Sequence, residues 1–591
     1  ANNNGAYVTV NSITNAGSIA YYNYDTKLYS EIQYEPSPLN RINNKYGPCQ
    51  VWTNHPVNIS YGTNDGSIAC FFVNTEKKLQ RVTNYTEGSL YKTVTTDEDG
   101  KTVTEFKDKI GHIVLIRNGN DGNTYYVYND LEQLCYVLPP LAADNLTSQV
   151  VSDDDNDILK KYAYLYKYDE RGNCIYKRLP GCDPIYMVYD KADRLILSQD
   201  GNQRTKNQWT INKYDIMGRV LYFGVINRVI TQSEKDIIHN NVIFEEVGTT
   251  NQLTNTGYTC NTFINEVVPL TVNYYDNYNF IPTSQAPEKL VYDQAKEQEG
   301  YTPKYSSAKG LLTGTRTYLL DNSVNYTTTA RYYDDKGQVV QSRSTNHLQG
   351  YDIICNCYNF TGQLTKTLKL HKITDQDGIS ESYAYTYDNA QRPLVTTYSL
   401  NGGTAVTLIN NTGGYDEVGR LITKKRHNNT DTESFAYNIR SWLTRITSGT
   451  FQEQLYYNTL PNGASTSPCY NGNIAYSVTG NTNSMPMRSY AYSYDNLNRL
   501  TAASGYYFTY SQSSYLGNSE SLQYDKMGNI NRIVRTTGNA LMDNLSFNYN
   551  GNQLKYVDDY GTNQNSYYVK EYQNHVEKHY DIVDQSGPFT S

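Results

Sequence analysis

Aromatic and aliphatic residues recur at every second position in short runs along most of the chain, and turn-forming residues separate the runs. Between Tyr164 and Tyr168 tyrosines occupy alternate positions, and an apolar run around Ile175 follows after Gly172. A period of two places the alternating side chains on one face of a β-strand. We therefore predict short strands that tight turns join into β-hairpins.

The turns carry one motif: Tyr-Asp, two variable residues, a small or polar residue, then Arg, Gln or Asn, and usually an aliphatic residue. Clear copies begin at Tyr168, Tyr214, Tyr333, Tyr415, Tyr494 and Tyr524, and weaker copies at Tyr128, Tyr189, Tyr358, Tyr387 and Tyr549. The Asp can accept a hydrogen bond from the backbone N–H two residues on. The Gly supplies the positive φ that a type I turn followed by a bulge requires. Asp and Gly are therefore interpreted as turn residues and not as catalytic residues.

The Arg, Gln or Asn that follows the small residue has two interpretations. It pairs with the Asp of a neighbouring hairpin, or it lines a surface for a partner. Because it recurs wherever the turn recurs, and a ligand site is not needed in every copy, we favour the structural interpretation.

Self-similarity of this kind indicates a stacked array in which no unit buries its own apolar face alone. The copies lie 21 residues apart from Tyr168 to Tyr189 and 28 apart from Tyr387 to Tyr415, the length of one two-stranded unit with its connection. The chain has 61 tyrosines but only 13 phenylalanines and 3 tryptophans, and Tyr suits a sheet with one packed and one wet face. The predicted fold is all-β, with repeated β-hairpins joined into a long curved or spiralling sheet.

The repeat divides the chain into predicted parts. They are a β domain with degenerate hairpins at 1–150, repeats at 151–225, an irregular insertion at 226–316, and repeats at 317–591 with an interruption near 438–487. Short helices are expected near Ser233–Ile238 and Tyr292–Glu297. Long loops concentrate binding functions, so the two interruptions of the repeat are the best candidate surfaces.

Composition excludes several classes of function. The chain of 591 residues has a net charge of −8 and no basic run, so nucleic acid is not an expected partner. No stretch approaches the roughly 20 apolar residues of a membrane-spanning helix. The chain opens at Ala1 without the charged and apolar regions of a signal peptide, which indicates either an intracellular protein or a mature or trimmed chain.

No constellation of residues predicts an active site. The eight histidines are scattered, and His575 and His579 lack a third ligand. Phosphate loops, nucleophile elbows and Cys-His signatures are absent from the sequence. The acids of Asp153–Asp157 faintly resemble a calcium loop, but Ile158 occupies the position that requires Gly, so a solvated loop or a helix start before Ile158 is preferred. No catalytic, cofactor-binding or metal-ligating residue is assigned, and the chain is not expected to be an enzyme.

Nine cysteines are too few for a disulfide scaffold, and an odd number leaves at least one thiol free. Two pairings stay open from the sequence, Cys174 with Cys182 and Cys49 with Cys70. Cys355 and Cys357 lack zinc-site spacing. Because they occupy alternate positions of a strand, both are predicted to pack on one face.

The repeated motif resembles that of the YD-repeat, or RHS-repeat, proteins over nearly the whole chain. The segments Glu35–Arg41, Gly310–Thr315 and Tyr437–Leu443 resemble the large exported RHS-type proteins of Bacteroidetes. In this family the hairpins join edge to edge into a spiralling strip, which in toxin-associated members closes around a C-terminal payload. The resemblance implies an open or partial shell, a mature or trimmed chain, and a secreted or cell-surface location.

Those shells end in a core segment with a self-cleaving aspartate, followed by a variable toxin. After Asn552 this chain runs to Ser591 without a recognisable core or payload, so no self-cleavage aspartate is assigned. With the copies present, the strip is expected to be too short to close fully.

Two functions follow as hypotheses. The first is a non-enzymatic scaffold that forms part of a shell, whose partner is a C-terminal payload or an adjacent shell segment absent from this chain. The second is a surface binding module for glycans or other partners, in which exposed rings of the segment Tyr506–Tyr510 stack on sugars. A monomer is expected, with residues 1–150 capping one strand edge.

Overall fold

The computed structural model describes residues 25–561, apart from residue 26 and gaps at 120–121, 147–150, 153–154, 249–252, 254–255, 264–265, 283–286, 321, 375, 482–485 and 510–512. These residues divide into two compact units. Among the described residues, unit 1 lies in the ranges 25–166, 178–182 and 433–561, and unit 2 in the ranges 167–177 and 183–432.

Unit 1 is built from antiparallel strands that pair mainly with their neighbours in the chain. Its early strands are β1 (Glu31–Tyr34), β2 (Ile42–Tyr46), β3 (Val57–Thr63), β4 (Ala69–Val73), β5 (Leu79–Asn84), β6 (Tyr91–Thr96), β7 (Thr102–Lys107), β8 (Ile113–Asn118), β9 (Gly122–Tyr128), β10 (Leu134–Leu138) and β11 (Val151–Ser152). Strands β4, β5 and β11 form a separate small sheet, and the remaining early strands pair in chain order.

The late strands of unit 1 also pair in chain order. They are β29 (Leu443–Ser448), β30 (Phe451–Tyr456), β31 (Tyr476–Asn481), β32 (Met487–Tyr494), β33 (Leu500–Phe508), β34 (Ser513–Tyr524), β35 (Ile530–Thr537), β36 (Ala540–Asn550) and β37 (Gln553–Asp559). Three strands cross a boundary of the units in the sequence: β12 (Tyr164–Tyr168), β13 (Cys174–Arg178) and β28 (Asp431–Tyr437).

Unit 2 follows the same rule. Its strands are β14 (Ile185–Tyr189), β15 (Leu195–Gln199), β16 (Gln208–Tyr214), β17 (Val220–Asn227), β18 (Val267–Asp276), β19 (Ala308–Leu319), β20 (Asn322–Tyr333), β21 (Val339–Thr345), β22 (Tyr351–Tyr358), β23 (Leu364–Lys372), β24 (Ile379–Tyr387), β25 (Pro393–Leu400), β26 (Val406–Asn410) and β27 (Thr423–Arg426). Each pairs antiparallel with the next. The all-β prediction, with hairpins joined edge to edge, is confirmed.

The described helices are short and lie between hairpins. They are a 3-10 helix at Gln50–Asn54 and α-helices at Pro140–Asn145, Asp157–Tyr162, Gly201–Thr205, Gln232–Asn240, Pro287–Leu290 and Ala295–Gln298. The helix predicted near Ser233–Ile238 is confirmed, and Thr231 and Glu234 form a capping box at its start. The helix predicted near Tyr292–Glu297 is a single turn that begins only at Ala295.

The turn chemistry of the repeat is the predicted one. In the turn between β20 and β21, a carboxylate oxygen of Asp334 accepts from the N–H groups of Lys336 and Gln338, at 2.9 and 2.8 Å. Gly337 has a φ of 78°, and the register shifts by one residue at Tyr333. The geometry is a type I turn with a bulge, which requires positive φ at the fourth turn position.

Asparagine takes the place of the aspartate in four described turns without changing the geometry. The side-chain oxygens of Asn74, Asn129, Asn359 and Asn438 each accept from the N–H groups two and four residues on, at 2.8–3.1 Å. These turns therefore need an acceptor oxygen and not a charge.

Apolar residues are buried on the sheet where other segments cover it. In unit 2, one cluster joins Trp209, Ile211 and Tyr222 of the strands to Ile238 and Tyr258 of the first interruption. In unit 1, a smaller cluster contains Tyr476, Val478 and Met487. The interruptions of the repeat thus supply the second layer that a single sheet lacks.

We predict that Asp334→Ala exposes the amides of Lys336 and Gln338 to hydrogen exchange and destabilises this hairpin by about 1–3 kcal/mol, because two backbone donors lose their acceptor. Asp334→Asn keeps the acceptor and should cost much less. Asp335→Ala alters the neighbouring turn residue, which is exposed, and serves as the control. Equal exchange in the Asp334→Ala and Asp335→Ala variants would contradict the assignment.

Candidate functional site

The repeated contact between neighbouring hairpins is the most regular feature of both units. In ten described hairpins, the hydroxyl of the tyrosine at the end of a strand donates to the carbonyl of the residue that directly follows the preceding turn; Tyr189 is an exception, and its hydroxyl donates to the Met187 sulfur. The pairs are Tyr214 with Leu195, Tyr275 with Val220, Tyr333 with Leu312, Tyr358 with Val339, Tyr387 with Leu364, Tyr415 with Pro393, Tyr457 with Leu443, Tyr494 with Ile474, Tyr524 with Leu500 and Tyr549 with Ile530, at 2.5–3.0 Å. We call this contact the hairpin junction.

The arginine of the motif completes the junction. Arg499 donates from Nε to the carboxylate of Asp495 at 2.6 Å, and its guanidinium lies 4.5 Å from the ring centroid of Tyr524 in the next hairpin. Arg392 has the same relation to Asp388 and Tyr415. A cation over an aromatic face is attracted by the ring quadrupole. Each arginine therefore links its own turn to the next hairpin.

This arrangement refines the structural interpretation of the residue after the glycine. Its first partner is the Asp of its own turn, not that of a neighbouring hairpin, because four residues in a bulged turn return the guanidinium to the carboxylate. In some copies the motif residue also contacts an acid of the next turn. Arg219 pairs with Asp276 at 2.9 Å, and Asn173 donates to Asp193 at 2.7 Å.

The junction extends into the N-terminal region, where the motif is hard to recognise. The Tyr61 hydroxyl donates to the Ile42 carbonyl at 3.0 Å, and Arg41 lies 4.3 Å over the Tyr61 ring. Glu35 replaces the aspartate, and the guanidinium of Arg41 holds the pKa of Glu35 at about 2. The sequence signal for this N-terminal junction is Glu35, followed after a longer turn by Arg41 and the aliphatic Ile42.

Unit 1 joins distant parts of its sequence around Trp52. The 3-10 helix that carries this indole places it 5.8 Å from the rings of both Trp442 and Tyr470. Its Nε1 donates to the Tyr470 carbonyl at 2.9 Å. The Arg440 guanidinium lies over both indoles and donates to Glu98 at 2.9 Å. We call this set of contacts the unit 1 seam.

A polar network continues the unit 1 seam. The Asp99 carboxylate accepts from the backbone N–H of Tyr470 at 2.7 Å. The Asn498 side-chain oxygen accepts from Lys101 at 2.8 Å and from Asn471 at 2.9 Å. The turn between β6 and β7 is thereby fixed to two segments from the second interruption and the repeat that follows it.

A buried ion pair anchors the first interruption to the sheet of unit 2. Lys213 of β16 lies 2.5 Å from Glu245, and neither side chain is exposed. Lys213 also donates to the Thr262 hydroxyl, and the second carboxylate oxygen of Glu245 accepts from Thr259 and from the N–H of Asn261, each at 2.8 Å. A buried ion pair is stable away from water when its remaining donors and acceptors are satisfied. Removal of one partner is strongly destabilising, because it leaves the other charge buried and unpaired.

The calcium-loop candidate lies partly outside the described residues, which omit Asp153 and Asp154. The side chain of Asn156 accepts from the N–H groups of Ile158 and Leu159 and caps the helix Asp157–Tyr162. The helix start predicted before Ile158 is confirmed.

All nine cysteines are free. Neither pairing left open by the sequence, Cys174 with Cys182 or Cys49 with Cys70, is formed. Cys355 is fully buried beside Ile353 and Leu368, and this burial raises the pKa of its thiol to about 11. Cys357 is partly buried on the same strand.

The aromatic segment suggested for sugar stacking is largely used in packing. Tyr506 contacts Tyr476 and Tyr515, and Phe508 is buried. Tyr507 is exposed, and Tyr510 lies outside the described residues.

The two histidines considered as metal ligands, His575 and His579, also lie outside the described residues. Within residues 25–561, excluding the gaps given above, no group of three His, Cys, Asp or Glu side chains is placed to hold a metal ion. None of the helices described in this range is long and apolar enough to cross a membrane.

We predict that Tyr387→Phe weakens the pairing of β23 with β24 by about 1 kcal/mol, because one hydrogen bond to the Leu364 carbonyl is lost. Hydrogen exchange of the β24 amides measures the change. Tyr385→Phe is the matched control, since it removes a hydroxyl from the same strand outside the junction. Similar exchange in both variants would argue against the junction.

We predict that Lys213→Met destabilises unit 2 by about 3–5 kcal/mol, because it leaves the buried Glu245 carboxylate without its cation. The double variant Lys213→Met, Glu245→Gln should recover part of this loss. Native-state hydrogen exchange of β16 and β17 reports the effect, and exposed Lys206→Met is the control. A Lys213→Met variant as stable as the control would refute the prediction.

Comparison with known proteins gives matches at two levels. Residues 1–64 match a family described as a domain of unknown function (DUF6443). No curated protein sequence matches the chain.

Among solved structures, the chain is similar to a TcdB2-TccC3-TEV structure at 13% identity, over 90% of this chain and 27% of that chain, with a TM-score of 0.28. It is similar to a Photorhabdus luminescens Tc holotoxin pore with a mutation in TccC3 at 12% identity, over 87% and 27%, with a TM-score of 0.30. It is also similar to a TcdB2-TccC3 structure at 11% identity, over 90% and 29%, with a TM-score of 0.27. The chain therefore spans less than a third of the length of these structures.

Proposed function

We propose that the chain is a non-enzymatic structural section of a YD-repeat protein, and that it forms part of the wall of a shell. The observation that carries the proposal is the hairpin junction, which recurs within both units and connects successive hairpins there. The wall of a shell requires a contact that repeats along its length, whereas a binding or catalytic cleft requires its residues only once.

The chemistry of the motif supports a structural role. The Asp388 carboxylate accepts from two backbone N–H groups and from Arg392. The hydrogen bond from the Arg392 N–H is the largest cause that lowers the pKa of Asp388. An aspartate that is held ionised and occupied by its own turn is poorly suited to general acid or base chemistry.

The unit 1 seam supports the same role. It fixes the turn after β6 and the indole of Trp52 to residues around Arg440 and Tyr470, far along the sequence. A strip of hairpins leaves exposed edges, and contacts between early and late segments restrict how the strip bends.

By its resemblance to YD-repeat proteins, we propose that the protein is exported to the cell surface or beyond. Its partner would be a C-terminal payload or an adjacent shell segment that is not part of this sequence. The binding-module alternative remains a separate hypothesis.

The test uses the native protein from the producing cells. We expect its intact mass to extend past Ser591, or a second chain to co-purify, and we expect the additional segment to resist protease until the protein is unfolded. Arg440→Ala in the native protein should speed cleavage by weakening the unit 1 seam, whereas Arg488→Ala, an exposed arginine of the same unit, should not.

A native protein that ends at Ser591 without a second chain would refute the container role. Equal cleavage of the additional segment before and after unfolding would do the same.

A further inference from the structure

A cavity of about 330 Å³ opens in unit 1 at the end of β30. Its floor is formed by β28, β29 and β30, and its wall by residues Tyr457–Thr459, where the second interruption leaves the sheet. This volume lies at the lower end of the range for small-molecule sites. The cavity therefore has room for a compact ligand of about one sugar unit.

Strand register sets the chemistry of the floor. Ala436 lies directly opposite Arg445, which lies directly opposite Gln454, so these three side chains share one face of the sheet. Glu433 lies an odd number of residues from Ala436 along β28, and Glu453 lies an odd number from Gln454 along β30. Both glutamates therefore belong to the opposite face. The acids of these two strands are thus separated from the guanidinium.

Arg445 is the only charged residue among the described residues that line the cavity. It is exposed, and one of its amino groups donates to Gln452 at 3.2 Å. Uncharged polar residues line the cavity beside it: Asn438, Gln454, Asn458 and Thr459. The site is therefore cationic in a chain of net charge −8.

The remaining wall is aromatic. Tyr456 and Tyr457 both line the cavity, and Tyr457 is fixed by its junction bond to the Leu443 carbonyl at 2.8 Å. The Tyr456 hydroxyl donates to Gln454 at 2.5 Å, which orients the amide of the floor.

We propose that this cavity binds a carboxylate-bearing sugar, with the carboxylate on Arg445 and the hydroxyls on the surrounding amides and hydroxyls. A guanidinium matches a carboxylate through two parallel hydrogen bonds. Amide and hydroxyl side chains complement sugar hydroxyls, and a tyrosine ring offers an apolar face. The single cation distinguishes this set from phosphate sites, which commonly add helix N-termini or backbone nests.

The test is titration of the full chain with D-glucuronate and D-galacturonate, followed by calorimetry or NMR. We expect saturable binding of at least one uronate, and binding of glucose and galactose at least about tenfold weaker, the loss expected when a charge-assisted pair is absent. Arg445→Gln should weaken uronate binding by at least about tenfold. Arg445→Lys keeps the charge but loses the two parallel hydrogen bonds, so its uronate affinity should lie between those of the unchanged chain and Arg445→Gln.

Arg488→Gln is the matched control, because it removes an exposed arginine from another strand of unit 1 and should leave binding unchanged. Thermal unfolding of each variant verifies the fold. The absence of saturable uronate binding would overturn the proposal, as would uronate affinity unchanged in Arg445→Gln. Acetate or inorganic phosphate binding as tightly as the uronates would overturn the sugar assignment and indicate a simple anion site. The shell proposal does not depend on any of these outcomes.

Discussion

The hydrogen bond from a motif tyrosine to a carbonyl of the preceding hairpin, present in ten described hairpins, is the contact on which the rest of the structure depends. An isolated hairpin is at best marginally stable in water, and the strand ladder alone does not fix where its turn lies. The tyrosine at the end of one strand is bonded to the start of the preceding strand, as Tyr524 at the end of β34 is to Leu500 at the start of β33. The arginine then covers the tyrosine ring and closes its own turn. Three residue types at fixed spacing thus determine the hairpin, its turn and its neighbour.

The local part of this arrangement was predictable from the sequence. Alternating tyrosines predict strands, and Asp followed by Gly predicts the bulged turn, because these preferences depend on a few adjacent residues. The partner of the motif arginine was not predictable in the same way. The return of Arg392 to Asp388 depends on the bulge geometry, and its position over Tyr415 depends on the pairing of hairpins. The N-terminal junction was missed because Glu35 replaces the aspartate and the turn is longer.

The contacts that make each unit compact lie beyond any periodic signal. Lys213 occupies an ordinary position of a repeat strand, and its partner Glu245 comes from a segment without a motif. Trp52 and Trp442 are far apart in the sequence, and only the folded unit 1 brings their rings together. The row of Ala436, Arg445 and Gln454 likewise arises from the register of three strands. The long loops could be singled out as candidate surfaces, but the residues that line a cavity there could not.

The hairpin junction also has a direction. At each junction, the earlier hairpin offers a carbonyl and the later hairpin a hydroxyl. If the chain is divided at equivalent turns, one end of each segment carries a free carbonyl acceptor and the other a free tyrosine hydroxyl, so segments from different copies can be joined. Genetic duplication or deletion of a whole hairpin would preserve every remaining contact of this type, while the loss of a single strand would invert the direction and break it. The interruptions are the exception, because their residues pack on particular strands and would not fit an exchanged hairpin.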